Sequence, residues 1–262
     1  MVKNSATITE RYTLPSKGLI YGEKFNPTIT LRSWTTEEEM LRCSPNELEY
    51  ENMAKVIDAC IMEELPISAY DMCVGDYTFL LHKLRIVSKG KIYPMVVQCP
   101  NCGEIVKADV DLDTELVHEF DPDKGLDNEI TLPVSGDVIK LSLQTPRKID
   151  EVKIKAKEKR KKTGLNLDYT IMYSAMSYVS KVNGKVLNEV ELENYIRKLN
   201  IEDLNTIRLK GLELDGKVGL DNSVIAKCKN CNYEIVTAFR EQPNFLGPVV
   251  YWEWWTLWSC KI

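Results

Sequence analysis

The sequence predicts an α+β protein whose chain begins a small cysteine-containing module, builds a large mixed insertion and then returns to complete the module. Two observations carry this prediction. Segments with helical periodicity and short β-branched runs occur together, both before and between the cysteine motifs. The pattern Cys-x-x-Cys occurs twice, at Cys99–Cys102 and at Cys228–Cys231, and each copy leads into an apolar, β-branched run that is typical of a strand.

The first 95 residues are predicted to form a mixed α+β domain with an extended arm. Residues 1–11 are polar and form the arm, and the run Tyr12–Tyr21 contains a turn at Pro15–Gly18. Alternation predicts a strand over Thr28–Leu31, and the run Thr-Thr-Glu-Glu-Glu from Thr35 has the capping-box chemistry that opens a helix. The next predicted elements are a helix over Tyr50–Glu63, a helix that begins near Gly75 and a strand over Tyr93–Val97.

The two cysteine pairs together match the ligand set of one zinc ion. Zinc prefers four tetrahedral ligands, and each Cys-x-x-Cys offers two thiolates on one tight turn. We therefore predict a structural zinc bound by Cys99, Cys102, Cys228 and Cys231. Residues 103–227, 125 in all, separate the pairs, whereas free-standing ribbons have roughly 15–20. A redox-active motif explains one pair but not its repeat, and two unrelated disulfides are a weaker alternative.

The stretch between the cysteine pairs is also predicted to be mixed. Ser135-Gly136 lies between two β-prone runs and indicates a short hairpin, and Asn183-Gly184 indicates a second hairpin with a type I′ turn. The helices predicted here cover Lys148–Lys162, Tyr169–Ser180, Glu189–Leu199 and Ile201–Leu212.

This order of elements divides the chain into four parts. They are an N-terminal α+β domain over 1–95, a split zinc ribbon over 96–112 plus 222–240, an α+β insertion over 113–221 and an aromatic C-terminal tail over 241–262.

Composition restricts the class of protein further. The chain has 262 residues, of which 44% are hydrophobic and 28% charged, as in an ordinary globular protein of this length. Its net charge of −5 gives no global indication of nucleic-acid binding. Residues 1–9 do not resemble a signal peptide, and no apolar run reaches about 18 residues, so we expect a reducing cytoplasm and no membrane span.

No catalytic constellation is recognisable, and we predict that the protein is not an enzyme. The chain has two histidines, His82 and His118. His82 lies within an apolar helical pattern and His118 follows an acidic stretch, so we expect structural or solvated roles for both. The sequence contains no Gly-x-Ser-x-Gly, Walker loop or His-Glu-x-x-His motif.

Two segments indicate interactions rather than chemistry. The run from Lys153 to Lys162 contains seven lysines and arginines, which fits either an acidic partner or, as we prefer, a solvated helix face. The C-terminal tail contains four of the five tryptophans of the chain. They are Trp252, Trp254, Trp255 and Trp258. Such a segment must be covered, either by the chain's own core or by a partner, and we predict that these tryptophans bind another subunit.

Several of these motifs also resemble one protein family. Three stretches carry the resemblance: Leu14-Pro15-Ser16 with Gly18 and Tyr21; Asp76, Leu80, Leu81, Leu84 and Arg85; and Gly90, Tyr93, Cys99, Pro100, Cys102 and Gly103. This order resembles the baseplate hub and hub-assembly proteins of contractile-tailed, T-even-like bacteriophages. The resemblance covers about the first 115 residues and continues more loosely beyond them.

The resemblance implies a virion or assembly protein that acts through other tail and baseplate proteins. We expect a structural component at or near the baseplate hub, in the virion tail after assembly in the host cytoplasm, as part of a hetero-oligomer. A tail-assembly chaperone for the hub or tape-measure protein is the first alternative. A zinc-ribbon nucleic-acid adaptor is the second, although the acidic charge and the long insertion make nucleic acid an unexpected partner.

Overall fold

A computed structural model describes residues 8–22, 25–221, 223–239 and 245–246. The helices of this part are α1 (Thr36–Arg42), α2 (Glu51–Cys60), α3 (Val74–Lys89), α4 (Pro146–Thr163), α5 (Thr170–Tyr178), α6 (Glu189–Ile196) and α7 (Ile201–Asp215). Its strands are β1 (Thr9–Thr13), β2 (Thr28–Arg32), β3 (Ile92–Gln98), β4 (Ile105–Asp111), β5 (Val117–His118), β6 (Glu129–Thr131), β7 (Val138–Leu141), β8 (Val179–Val182), β9 (Gly219–Leu220), β10 (Ser223–Lys227) and β11 (Glu234–Ala238). The predicted α+β class is confirmed.

The chain divides into two compact units, and each is built from two separate stretches. Residues 1–90 and 115–221 form the first, which we call the large unit. Residues 91–114 and 222–262 form the second, which we call the small unit. The finer division into four parts stays a prediction.

The start of the large unit is an antiparallel pair of strands followed by helices. Strand β1 pairs with β2, with Thr9 opposite Arg32, so the polar stretch expected to be an arm contributes a strand from Thr9 onward. The β-prone residues of β1 pair with a segment about 20 residues further along the chain, and a local sequence pattern does not reveal such a pairing. The predicted capping box of α1 is confirmed, with Thr35 at the N-cap and Glu38 returning to the Thr35 backbone.

Residues of the family-like motifs form one buried network in the large unit. The carboxylate of Asp76 on α3 accepts hydrogen bonds from the backbone N–H and hydroxyl of Ser16 and, at 2.7 Å, from the hydroxyl of Tyr21. The Tyr21 hydroxyl also accepts the backbone N–H of Cys73 at 2.9 Å. Burial raises the pKa of Asp76 above its ordinary value. The turn at Pro15–Gly18 is therefore held on α3 by polar contacts inside the protein.

The second half of the large unit packs helices on a three-stranded antiparallel sheet of order β6-β7-β8. The predicted hairpin around Ser135-Gly136 is confirmed as β6 and β7. The predicted turn at Asn183-Gly184 is present, because both residues have the positive φ of a type I′ turn, but the hairpin is short and its flanks form one bridge, between Val182 and Lys185. Strand β8 pairs along its length with β7, as the third strand of the sheet.

Aspartates on helices attach loops to the helical framework of the large unit. In each case the carboxylate accepts backbone N–H groups from a segment distant in sequence. Besides Asp76, the cases are Asp150 with Glu49 and Tyr50, Asp203 with Val134 and Ser135, and Asp215 with Gln144. A buried N–H without an acceptor is costly, so each carboxylate permits a loop to pack inward.

The large unit also closes the base of its own insertion. Strand β5 pairs with β9, and the backbone N–H of Asp221 donates to the Leu116 carbonyl at 2.8 Å. Gly75 on α3 lies so close to this pair that an added Cβ would be 2.0 Å from the Val218 oxygen. The two ends of residues 115–221 are thus joined by backbone pairing within the large unit.

The described part of the small unit contains two antiparallel hairpins, β3–β4 and β10–β11. One buried cluster there contains Cys99, Val106, Ala226, Cys228 and Ile235. A second contact joins the rings of Tyr93, Phe239 and Phe245, whose centroids lie 5.2–5.6 Å apart.

Candidate metal centre

The small unit brings the four predicted ligand cysteines together. Their sulfur atoms all lie within 4.8 Å of one another, and the Cys99–Cys231 and Cys102–Cys228 sulfur pairs are each 3.7 Å apart. A disulfide bond requires about 2.05 Å, so none of these pairs is bonded. A tetrahedral Zn–S site with bonds of about 2.3 Å places its sulfurs roughly 3.8 Å apart. The sulfur arrangement therefore fits a single zinc ion.

The two cysteine turns have the same backbone geometry. The Cys99 N–H donates to the Glu104 carbonyl at 2.8 Å, and the Gly103 N–H donates to the Cys99 carbonyl at 2.9 Å. The second turn repeats both bonds, from Cys228 to Tyr233 at 2.9 Å and from Asn232 to Cys228 at 2.9 Å. These bonds form because the fourth residue after each first cysteine has positive φ, a conformation that glycine and asparagine tolerate.

The relation between the two turns is an approximate local twofold. The first cysteine of each turn, Cys99 or Cys228, is buried, whereas Cys102 is exposed and Cys231 half-buried. Each 3.7 Å sulfur pair joins the first cysteine of one turn to the second cysteine of the other. The site therefore has a protected inner side and a side that faces solvent.

A tripeptide that recurs in the sequence does not mark structurally equivalent positions of the two hairpins. The tripeptide Glu-Ile-Val recurs at Glu104–Val106 and at Glu234–Val236. The Glu104 carbonyl accepts the Cys99 N–H in the first turn, and the Tyr233 carbonyl accepts the Cys228 N–H in the second. Glu104 is therefore structurally equivalent to Tyr233, which precedes Glu234 by one residue. Val106 is accordingly 5% exposed, whereas Val236 is 68% exposed. The equivalent buried position of the second hairpin is Ile235, because a shift of one residue exchanges the two faces of a strand.

Hydrogen-bond donors surround the two outer thiols. The side chain of Asn101 and the backbone N–H of Tyr233 donate to Cys231 and lower its pKa to about 6. For Cys102, the N–H of Glu104 acts in the same direction, but desolvation and the neighbouring thiols outweigh it and raise the pKa to about 11. A bound divalent ion favours the thiolate form of its cysteine ligands.

Asn101 and Asn230 are the site residues that the sequence analysis missed. Each lies between the cysteines of its own turn, and Asn230 donates through Nδ2 to the Cys102 sulfur at 3.7 Å. Both motifs read Cys-x-Asn-Cys, and this shared asparagine was the available signal.

The two histidines have different surroundings in the large unit. His82 is fully buried on α3, and its Nδ1 lies 2.9 Å from a carboxylate oxygen of Glu115. His118 is exposed, and its Nε2 lies 3.8 Å from Asp221. The structure places each histidine beside an acidic group in the large unit.

The basic run on α4 is matched by acidic side chains of the same unit. Four lysines, at intervals of two residues, each form an ion pair. The pairs are Lys153 with Glu49, Lys155 with Glu189, Lys157 with Glu47 and Lys159 with Glu193. Alternate lysines point to opposite sides of the helix, so α4 lies between two rows of glutamates.

The predicted partner-binding tryptophans lie outside the described residues. Trp252, Trp254, Trp255 and Trp258 all belong to the segment that follows Leu246. Within the described part of the chain, no helix is both long and apolar enough to cross a membrane.

A family model described as T4 bacteriophage base plate protein matches residues 6–247 of the chain. No curated protein and no solved structure matches the chain.

Proposed function

Because the chain belongs to the family of T4 bacteriophage base plate proteins, we propose that it is a structural component of the phage tail at or near the baseplate hub. The family match, which spans nearly the whole chain, is the observation that carries this proposal. The hub position rests on the resemblance of Leu14–Tyr21 and the Asp76 region to hub proteins. These same residues form the buried network around Asp76, so the motif has a structural purpose within the large unit.

We propose that one zinc ion, bound by Cys99, Cys102, Cys228 and Cys231, stabilises the small unit. The sulfur separations and the matching turns support this assignment. Four thiolate ligands leave no open coordination position, which is typical of a structural rather than a catalytic zinc. Elemental analysis of the purified protein should give one zinc per chain, and metal-free folded protein would contradict the proposal.

We propose that the protein acts by binding other tail proteins and catalyses no reaction. The burial of His82 and its pairing with Glu115 support a packing role for this residue. A substitution such as His82→Gln should therefore change stability alone. Loss of a measured hydrolase or transferase activity in a stable histidine variant would overturn this assignment.

Two alternatives remain distinguishable by experiment. A tail-assembly chaperone would share the family but would leave before the virion is complete. Mass spectrometry of purified virions and of isolated baseplates should detect this chain at a fixed ratio to other tail proteins if it is structural. Its absence from virions, together with its presence on assembly intermediates, would favour the chaperone. The nucleic-acid adaptor is disfavoured because four of the lysines of α4 form ion pairs with glutamates of the same unit.

We propose that Trp252, Trp254, Trp255 and Trp258 pack against another tail subunit. Trp is enriched among residues that dominate binding energy at interfaces, and truncation of such a residue often costs about 2 kcal/mol or more. The last described residues, Phe245 and Leu246, are buried in the small unit, so the segment starts from a fixed point. Deletion of residues 249–262 should leave a folded protein that fails to assemble. Unfolding of the isolated deletion variant would instead place the tryptophans in its own core.

A further inference from the structure

The asparagine within each cysteine turn has a partner on the opposite turn. Asn101 lies between Cys99 and Cys102, and its side chain is the largest single cause of the lowered pKa of Cys231 in the opposite turn. Asn230 lies between Cys228 and Cys231, but its Nδ2 donates to the Cys102 sulfur at 3.7 Å. The Asn230–Cys102 hydrogen bond thus crosses from the second turn to the first, and Asn101 acts on the second turn from the first.

The sulfurs that receive these bonds are the two on the solvent side. Cys102 is exposed and Cys231 half-buried, whereas Cys99 and Cys228 are buried. A zinc ion with four thiolates carries a net charge of about −2, and hydrogen bonds to the sulfurs spread this charge. Protons, chelators and alkylating agents reach the outer sulfurs first, so donors at those atoms protect the site where it is most accessible.

We propose that Asn101 and Asn230 are positioning residues of the metal site, each holding the outer thiolate of the opposite turn and thereby slowing zinc loss. This inference rests on the proposed structural zinc. A carboxamide suits the role because it donates without adding charge, whereas an aspartate would place a carboxylate beside the thiolate. Because each bond crosses from one turn to the other, the pair also fastens the two hairpins together.

The test compares Asn101→Ala, Asn230→Ala and the double variant with the wild-type protein, all loaded with zinc. Outer-shell partners typically change metal affinity by 10–100-fold, so each single variant should release zinc to excess chelator about 10-fold faster. The double variant should be faster still. Lys229→Ala, which shortens the neighbouring exposed side chain in the second turn, is the matched control and should release zinc at the wild-type rate.

Alkylation mapped by mass spectrometry gives a second and sharper readout. Asn101→Ala should increase the reactivity of Cys231, and Asn230→Ala that of Cys102. A merely local role in turn stability would instead expose the cysteine of the same turn, and that outcome would overturn the proposal. Wild-type release rates in both variants would also overturn it while leaving the zinc intact. A wild-type protein that binds no zinc would refute the metal site itself.

Discussion

The large and small units are stabilised by different means. The large unit buries apolar side chains from helices and sheets. Its aspartate carboxylates accept hydrogen bonds from the backbone N–H groups of loops that pack inward. In the described part of the small unit, one buried cluster contains the cysteines Cys99 and Cys228. The contrast supports our proposal that metal coordination adds to apolar packing in this unit.

This contrast changes the expected role of the metal. The cysteine pairs lie at the two ends of residues 103–227, so a zinc ion between them could hold the base of this long insertion. The β5–β9 pairing closes that base within the large unit without using any cysteine. We therefore expect zinc to govern the folding of the small unit, and the large unit to fold without it.

Zinc removal should produce the largest effect. Structural zinc sites contribute about 10–16 kcal/mol of apparent binding energy at pH 7. Cys99→Ser, or a strong chelator, should remove hydrogen-exchange protection and permit proteolysis in residues 92–111 and 223–238. Protection in α3 and α7 should persist. Cys43→Ser, at an exposed cysteine outside the cluster, is the control. Equal loss of protection in both units would refute the prediction that the large unit folds without zinc.

Gly75→Ala should give the next largest effect, confined to the large unit. The added Cβ would lie 2.0 Å from the Val218 carbonyl oxygen, so backbone must move. Overpacking of this kind costs about 1–3 kcal/mol and occasionally more. Urea denaturation should show a lower midpoint for the large unit, with the zinc content unchanged. An unaltered midpoint would mean that the contact between α3 and the chain before β9 contributes little.

Asp76→Asn tests the buried network through its pH dependence. Desolvation raises the folded-state pKa of Asp76 above 3.8, so the folded protein binds this proton more tightly than the unfolded chain. The contribution of Asp76 to stability therefore falls as pH rises from 3.8 through the folded pKa. Relative to the variant, wild-type protein should gain stability as pH is lowered from neutral towards about 4. Urea denaturation across this range should show that difference, and a parallel pH profile would contradict it.

Substitution of the α4 lysines should produce the smallest effect. Lys157 and Glu47 are both exposed, and ion pairs between exposed side chains contribute little to stability. Lys157→Ala should leave the urea midpoint of the large unit unchanged within experimental error. Assembly of this variant would be further evidence that the basic run does not bind a partner. Loss of assembly without loss of stability would identify the run as an interface.

Several features could be predicted because their cause lies within a few residues. The capping box at Thr35, the helix that begins at Ile201 and the turn around Ser135-Gly136 depend on local backbone chemistry, and the structure contains all three. The Asn183-Gly184 turn has the predicted local geometry, but its flanks form one bridge, whereas β8 pairs along its length with β7. Local preference thus determines the turn, and long-range pairing determines the sheet.

The amino-acid sequence by itself determined the α+β class, most helix positions and the identity of the four clustered cysteines, because periodicity, caps and Cys-x-x-Cys spacing are short-range signals. Only the tertiary structure decided which sulfurs face solvent, which aspartates are buried and which asparagine contacts which thiol. Each of those properties depends on contacts between segments that are distant in sequence, such as Asn230 and Cys102, which are 128 residues apart. The charge, size and hydrogen-bonding capacity of a side chain follow from its residue type. The burial that determines their effect on its pKa arises only when distant segments of the chain come together.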